Sequence, residues 1–505
     1  MKSSLSRIPF WLGLFLFFIV LMAPTPSGMS LLAQRTAAVA ILMASWWIGE
    51  ALPIPCTALL PLVLFPIFGV LPASEVSKDY GNQNIFLFMG GLFMAMAMQR
   101  WNLHRRIALT IMTRVPRKPA AIVAGFMVAT AGISMWISDT ATVMLMMPIG
   151  VAVIMQVEGL NADEEPQPSP FGAALMLGIA YAGVIGGIGT LVGTPPNLVF
   201  AGTYETLVPN GQTIGFARWM IVGTSVTVLM LPVTWFYLTR FAFKLDSGDE
   251  GEMLDLEVLK SEKEKLGPMK TGEKISFAVF LSAAALWLTR GEFHNGKMAS
   301  PGWGGLLENP EMVSDSTVSI AAALLLFVLR AKNPNGEGVG PVLDWDWAKR
   351  IPWRVLLLFG GGFALAHAFQ ESGLSEWVGT RITFLSSLPP VAMIAVVCFL
   401  MTFMTEVTSN TATTTVLMPV LATAGQSMGI DPLLLMMPAA MSASCAFMLP
   451  VATPGNAIVF GSGFLSLKQM ARAGFVLNII GSIIITIVMV VVAVPVFELS
   501  LSGVN

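Results

Sequence analysis

The sequence predicts an all-α polytopic membrane protein, an inverted repeat with two re-entrant hairpins, two broken helices and about 11 transmembrane helices. Three observations predict it. The 505 residues are 55% hydrophobic and only 11% charged, with a mean hydropathy of +0.74, far more apolar than a soluble chain of this length. One polar phrase occurs twice inside apolar sequence, as Ser138-Asp139-Thr140-Ala141-Thr142 and Ser409-Asn410-Thr411-Ala412-Thr413, each followed by a proline, Pro148 or Pro419. A second phrase is doubled further on, as Gly193-Thr194-Pro195-Pro196-Asn197 and Ala452-Thr453-Pro454-Gly455-Asn456.

A helix needs about 20 apolar residues to cross the hydrocarbon core. Apolar runs of that kind cover 8–24, 34–49, 53–72, 84–100, 120–156, 171–203, 217–241, 275–290, 315–330, 353–370, 386–425, 431–463 and 473–498. The first run is read as a retained helix, because Thr25-Pro26-Ser27-Gly28 leads into further spans without an A-x-A cleavage site. The runs 120–156 and 386–425 are too long for one crossing and carry the polar phrase near their middles, which suits hairpins that enter and leave on one side. The runs 171–203 and 431–463 carry the Thr-Pro phrases, where proline removes an N–H and breaks the helix.

Charge tests this layout. With the N-terminus in the cytoplasm and both hairpins re-entrant, 21 Lys/Arg fall inside, six fall outside, and Arg354 sits at a boundary. That satisfies the positive-inside rule. A single crossing by 120–156 would move the later basic loops outside. The first hairpin then opens to the cytoplasm and the second to the other side, so the repeat is inverted.

The polar phrases lie 271 residues apart, as do Phe88 and Phe359, Gly90 and Gly361, Gly91 and Gly362, Gln99 and Gln370, and Leu103 and Leu374. The Thr-Pro phrases lie 259 apart, the difference being the unmatched polar loop 159–170. The domain reading follows: 1–80 N-terminal helices, mainly scaffold; 81–241 first repeat; 242–274 a charged cytoplasmic segment; 275–352 scaffold helices of the second repeat; and 353–505 the rest of that repeat.

Broken helices free carbonyls and amides, which survive at membrane depth only when protein, ion or water satisfies them. Carbonyls and Ser, Thr or Asn oxygens are hard ligands suited to sodium, and half-helix N-termini turn amides toward an anion. A lone Ser or Thr in an apolar helix usually bonds its own backbone. Four phrases paired by symmetry reverse that expectation. Glu50 and Glu406 are candidates as carboxylates near or within the membrane, weighed against a bracing role. His367 is read as a packing residue, Gly90-Gly91 and Gly360-Gly361-Gly362 as close-packing sites, and Cys56, Cys398 and Cys445 as buried free thiols. Scattered His104, His294 and His367 and the lack of a His/Cys or carboxylate cluster exclude a transition-metal site. No H-E-x-x-H, facing Asp pair or Gly-x-Ser-x-Gly elbow is present, which disfavours an intramembrane enzyme.

With Trp46-Trp47-Ile48-Gly49-Glu50-Ala51-Leu52-Pro53, Thr57-Ala58-Leu59-Leu60-Pro61, both hairpin tips and both Thr-Pro phrases, the chain resembles the divalent-anion:sodium symporter family. The resemblance covers most of the chain and implies a multi-pass plasma-membrane homodimer with an elevator mechanism, importing C4-dicarboxylates (succinate, malate, fumarate class) with Na+ and using no organic cofactor or nucleic acid. Matched motif by motif, it implies a first sodium site of Ser134, Ser138, Asp139 and Gly193, and a second of Thr405, Ser409, Asn410 and Ala452. It places Asp139, Thr140, Thr194, Asn410, Thr411, Thr453 and Pro454 against the substrate carboxylates, with Pro195, Asn197, Asn456, Glu50 and Glu406 in support. The spacing of Ser134 to Ser138 and of Thr405 to Ser409, four residues each, lets each pair share one helical face.

The family pattern has Asn in both tips, and here the first tip has Asp139. An ionised Asp139 about 4 Å from a substrate carboxylate is repelled by roughly 4 kcal/mol at an effective dielectric near 20. A bound cation, a proton or a longer separation must offset this. A sodium-independent dicarboxylate exchanger, a sulfate or other divalent-anion transporter, and a channel remain as alternatives.

Overall fold

A computed structural model describes residues 7–116, 118–160, 166–208, 211–245, 257–291, 293–295, 298–300, 302–334, 338–382 and 388–501. Positions 161–165 of the unmatched loop, 246–256 of the charged segment, 386–387 of the second long run, and Lys2, Arg117 and Lys297 of the charge count lie outside the described residues.

Both long apolar runs fold as helix–turn–helix units. The first comprises Pro119–Ser134 and Asp139–Glu158, the second Pro390–Met404 and Asn410–Ser427. Proline starts the first arm of each, where its missing N–H costs nothing, and the polar phrase starts the second arm. Both Thr-Pro phrases break their helices: Pro170–Ile188 is followed by Pro195–Leu207, and Leu433–Ser444 by Pro454–Phe460. Thr194 and Thr453 precede the distal halves in nearly the same extended conformation, φ −145°, ψ 142° and φ −138°, ψ 152°. Helix starts keep the sequence offsets, since Leu103 and Leu374, Pro119 and Pro390, and Asp139 and Asn410 lie 271 apart, and Pro195 and Pro454 lie 259 apart.

Among the described residues, six helices are long and apolar enough to cross a membrane: Leu31–Ile48, Asp139–Glu158, Pro170–Ile188, Phe216–Ala242, Thr271–Thr289 and Leu467–Val496. Pro170–Ile188 is buried from Phe171 to Ile188, so the first broken helix is wrapped by protein. Two apolar clusters form. A smaller one joins Leu31–Ile48 and Ile54–Ala58 to Trp353–Glu371 and to Ala412 of the second hairpin, and the larger one holds both broken helices.

Glycines set the closest crossings. A Cβ on Gly90 would lie 2.3 Å from Ser319 Oγ, and one on Gly361 2.4 Å from the Ala58 carbonyl, in keeping with the packing role expected of both Gly runs. His367 Nδ1 sits 3.2 Å from Asp79 Oδ2, a packed and partnered position.

Some expectations need correction. The run 53–72 divides into Ile54–Ala58 and Leu60–Ile67, because Pro61 supplies no amide to continue the ladder. Cys56 is exposed, whereas Cys398 and Cys445 are buried free thiols. Five short helices, Ala73–Asp79, Leu103–Met112, Glu257–Lys265, Trp345–Ala348 and Leu374–Ile382, had no counterpart among the spans, being too short to read as crossings. Glu257–Lys265 lies in the charged segment 242–274. It docks through buried Leu259 and an Arg105–Glu262 ion pair.

Candidate functional site

The first hairpin tip and the first break form one unit. Ser134 Oγ, fully buried, donates to the Gly183 carbonyl at 2.6 Å. Thr190 Oγ1 donates to the Met135 carbonyl at 2.5 Å. Asn197 closes the break, its Nδ2 donating to Thr190 O at 2.7 Å and Gly187 O at 3.3 Å. These are carbonyls that the interrupted helix leaves unpaired. A Cβ on Gly193 would lie 2.4 Å from Gly187 O, so only glycine fits. Asp139 Oδ1 accepts from the Thr140 amide at 2.6 Å and from Thr140 Oγ1 at 3.1 Å. Ser138 and Thr140 are half-buried.

The second tip and break repeat this plan with different chemistry. Asn456 Nδ2 donates to Ala446 O at 3.0 Å and Leu449 O at 3.1 Å, the carbonyls 259 residues beyond those that Asn197 ties. Thr453 Oγ1 accepts from the Asn456 amide at 3.1 Å. Thr405 Oγ1 donates within its own helix, to Met401 O or Thr402 O, while Thr402 Oγ1 reaches Ser442 O at 3.3 Å. Ser409 Oγ accepts from the Ala412 amide at 3.4 Å. A hydroxyl that gives its proton to a carbonyl keeps its lone pairs for a cation, and Ser134 and Thr405 are in that state. Asn410 Oδ1 is buried and, among the described residues, has no hydrogen-bond partner. That free carbonyl oxygen suits a sodium ligand.

The two units meet. Thr194 Oγ1 lies 3.5 Å from Ser444 Oγ, linking one break to the other, and Tyr181 donates to Phe447 O at 2.8 Å. A Cβ on Gly183 would sit 3.0 Å from Val143, and one on Gly455 3.3 Å from the same side chain. The second arm of the first hairpin therefore packs between both broken helices. Thr194, Ala452 and Thr453 are buried, Thr411 is half-buried and Pro454 is exposed. Pro195 occupies the first position of its distal half-helix.

The tips differ in their surroundings. Trp136 packs against Phe280 and Phe216, with ring centroids 4.8 and 6.0 Å away. Its counterpart in the second tip, Val407, is 72% exposed.

The two supporting carboxylates part company. Glu406 is buried and accepts from the amides of Phe447, Met448 and Leu449 at 2.7, 2.9 and 3.1 Å, so it braces the second break. Glu50 stands on an exposed turn at φ 45°, its amide bonding back to Trp47 O at 3.4 Å. Sequence reasoning missed Thr190, Ser444 and Asn478. Asn478 Nδ2 donates to Glu406 at 2.7 Å, and the signal was available as a lone amide in an apolar helix. Among the described residues, no three His, Cys, Asp or Glu side chains gather in a metal-type cluster.

An all-helical membrane protein whose two helix breaks meet, each bonded to a hairpin tip, has the build of a membrane transporter. Solved structures agree on the fold. The YdaH transporter of Alcanivorax borkumensis superposes with a TM-score of 0.57 at 13% identity, covering 97% of this chain and 99% of that one. MtrF of Neisseria gonorrhoeae, described among antimetabolite efflux pumps, gives 0.56 at 11%, covering 98% and 96%. The family model for the sodium:sulfate symporter transmembrane region matches residues 6–499. The sodium-dependent dicarboxylate transporter SdcS of Staphylococcus saprophyticus is 42% identical over 493 residues, covering 97% of this chain and 92% of the relative. The protein of that name from Staphylococcus aureus strain MSSA476 is 45% identical over 481 residues, covering 94% and 89%. The chain belongs to the divalent-anion:sodium symporter family, a family of transporters and not of enzymes.

Proposed function

We propose that this protein is a sodium-coupled symporter that imports C4-dicarboxylates of the succinate, malate and fumarate class. The observation that carries this reading is the junction of the two breaks at Thr194 and Ser444, 3.5 Å apart, with an oxygen-rich hairpin tip against each. The names of the Staphylococcus relatives support sodium and a dicarboxylate as the transported pair.

Sodium binds two cages. Ser134, Ser138, Asp139 and Gly193 supply oxygens for the first, and Thr405, Ser409, Asn410 and Ala452 for the second. Cations in both cages offset the negative charge of the substrate, whose carboxylates bind Thr140, Thr194, Asn410, Thr411, Thr453 and Pro454 and the amides that open the second arms. Asp139 lies beside the substrate and contributes through the first cage. Pro195 and Asn197, with Asn456 and Glu406, brace the breaks.

The matched helix starts and matched Asn-to-carbonyl bonds support an inverted repeat, with the first hairpin open to the cytoplasm and the second to the outside. In this layout the N-terminus is cytoplasmic, the chain spans the plasma membrane about 11 times, and the hairpins and broken helices move as one elevator block against the scaffold of a homodimer.

Radiolabelled succinate uptake into proteoliposomes, with and without an inward sodium gradient, tests the reading. Uptake that follows the gradient is expected. Succinate counterflow of equal rate in sodium-free vesicles would establish the exchanger instead.

A further inference from the structure

The two hairpin tips carry the same joint in two chemistries. In the first repeat, the tip residue Met135 holds the break through its carbonyl, which accepts from Thr190 Oγ1 at 2.5 Å. In the second repeat the equivalent tip residue, 271 positions on, is Glu406, and the break residue equivalent to Thr190, 259 positions on, is Leu449. Here the carboxylate accepts from the Leu449 amide at 3.1 Å, together with the amides of Phe447 and Met448 and the side chain of Asn478. Four donors converge on one buried carboxylate. Stabilised in that way, the charge is a fixed part of the fold.

The Leu449 backbone passes this hold on to the cage. Its carbonyl accepts from the Ala452 amide at 3.1 Å and from Asn456 Nδ2 at 3.1 Å, so Glu406 grips the residue by its amide and the cage hangs from its carbonyl. The first repeat has the same node, with Thr190 O accepting from Gly193 N at 3.4 Å and from Asn197 Nδ2 at 2.7 Å. It lacks the charge at the tip position. Glu406 also directly follows Thr405 in the chain and sits opposite the polypeptide that carries Ala452, both of them ligands of the second cage in the reading above.

We propose that Glu406, clasped by Asn478, is the positioning residue of the second cation site, fixing the Leu449–Ala452 turn and making that site the tighter of the two. Cation binding is then ordered, second site first. The positive charge arriving there is balanced by a carboxylate that touches neither substrate nor, in this arrangement, the ion. The first site draws on Asp139 within its own cage and has no such outside brace.

This proposal rests on the sodium-symport reading. The test uses full-length protein: parent, Glu406→Gln and Asn478→Ala, each measured for sodium half-saturation of succinate uptake, succinate KM at saturating sodium, and sodium-dependent thermal stabilisation in detergent. Glu406→Gln removes the charge and turns a donor toward the Leu449 amide. Its sodium half-saturation should rise at least about tenfold, with the Hill coefficient falling and succinate KM at saturating sodium unchanged. Asn478→Ala keeps the charge and the three amides, and should shift sodium about threefold. It supplies the answer if the Gln variant does not fold. Parent protein without sodium dependence would remove the underlying reading. Sodium-dependent parent with both variants within about twofold of it, or a variant whose succinate KM rises at saturating sodium, overturns the positioning role.

Discussion

Gly186→Ala tests whether the first cage depends on the closest helix crossing in its unit. A Cβ at Gly186 would lie 2.3 Å from the Ala131 carbonyl oxygen and 2.6 Å from Ala131 Cα. Both are backbone atoms, so no side chain can swing aside. Carbon–oxygen approaches settle at about 3.3 Å or more, which means the two helices must part by about 1 Å. One turn along each helix from this contact, Ser134 Oγ donates to Gly183 O at 2.6 Å. Parting by that amount stretches the bond to about 3.6 Å, beyond hydrogen-bond range. Overpacking of this kind costs about 1–3 kcal/mol, and Ser134 loses the partner that orients it. The variant should melt earlier than the parent and show a raised sodium half-saturation in succinate uptake. Gly132→Ala is the control: it lies on the same hairpin arm, with nothing within 4 Å of its added Cβ, and should match the parent. The reasoning is refuted if Gly186→Ala keeps parental melting and sodium dependence, or if Gly132→Ala does equal damage.

Asn456→Ala strands the carbonyl of Ala446, an unsatisfied buried acceptor costing about 1–3 kcal/mol, and leaves Leu449 O with the Ala452 amide alone; thermal denaturation should show the loss, and sodium should no longer stabilise the variant. Asn197→Ala should do the same through Gly187 and Thr190. In the proposed arrangement Asp139→Asn removes a carboxylate from beside the substrate, so uptake kinetics should give a lower succinate KM and a higher sodium half-saturation, whereas an unchanged pair of values would remove Asp139 from both roles. Asp315 accepts from the Phe216 amide at 2.9 Å and pairs with Arg290 at 2.6 Å. Asp315→Ala leaves that largely buried arginine unpaired, and melting should register a loss of about 3–5 kcal/mol.

Much of the candidate site was legible because its signals are local. A proline in an apolar run breaks a helix wherever the run folds, so Thr194-Pro195 and Thr453-Pro454 announced the breaks. The duplicated tips announced the hairpins by length and by repetition. Glu50 and Glu406 looked alike in sequence, both being lone carboxylates near apolar spans. One stands on an exposed turn and the other takes three backbone amides, a difference set by contacts more than 40 residues apart in the chain. Asn478 stayed unremarked because its partner lies 72 residues away.

The sequence by itself determined the membrane class, the duplicated polar and Thr-Pro phrases and the positions where helices must stop, since hydropathy, proline chemistry and residue offsets are properties of short stretches. Only the tertiary structure decided which carbonyls Asn197 and Asn456 close, that Thr194 meets Ser444, and that the tip position held by a carbonyl at Met135 is held by a charge at Glu406. These follow from packing between distant segments, where burial compels most polar groups to find a partner, and no short stretch of sequence names that partner.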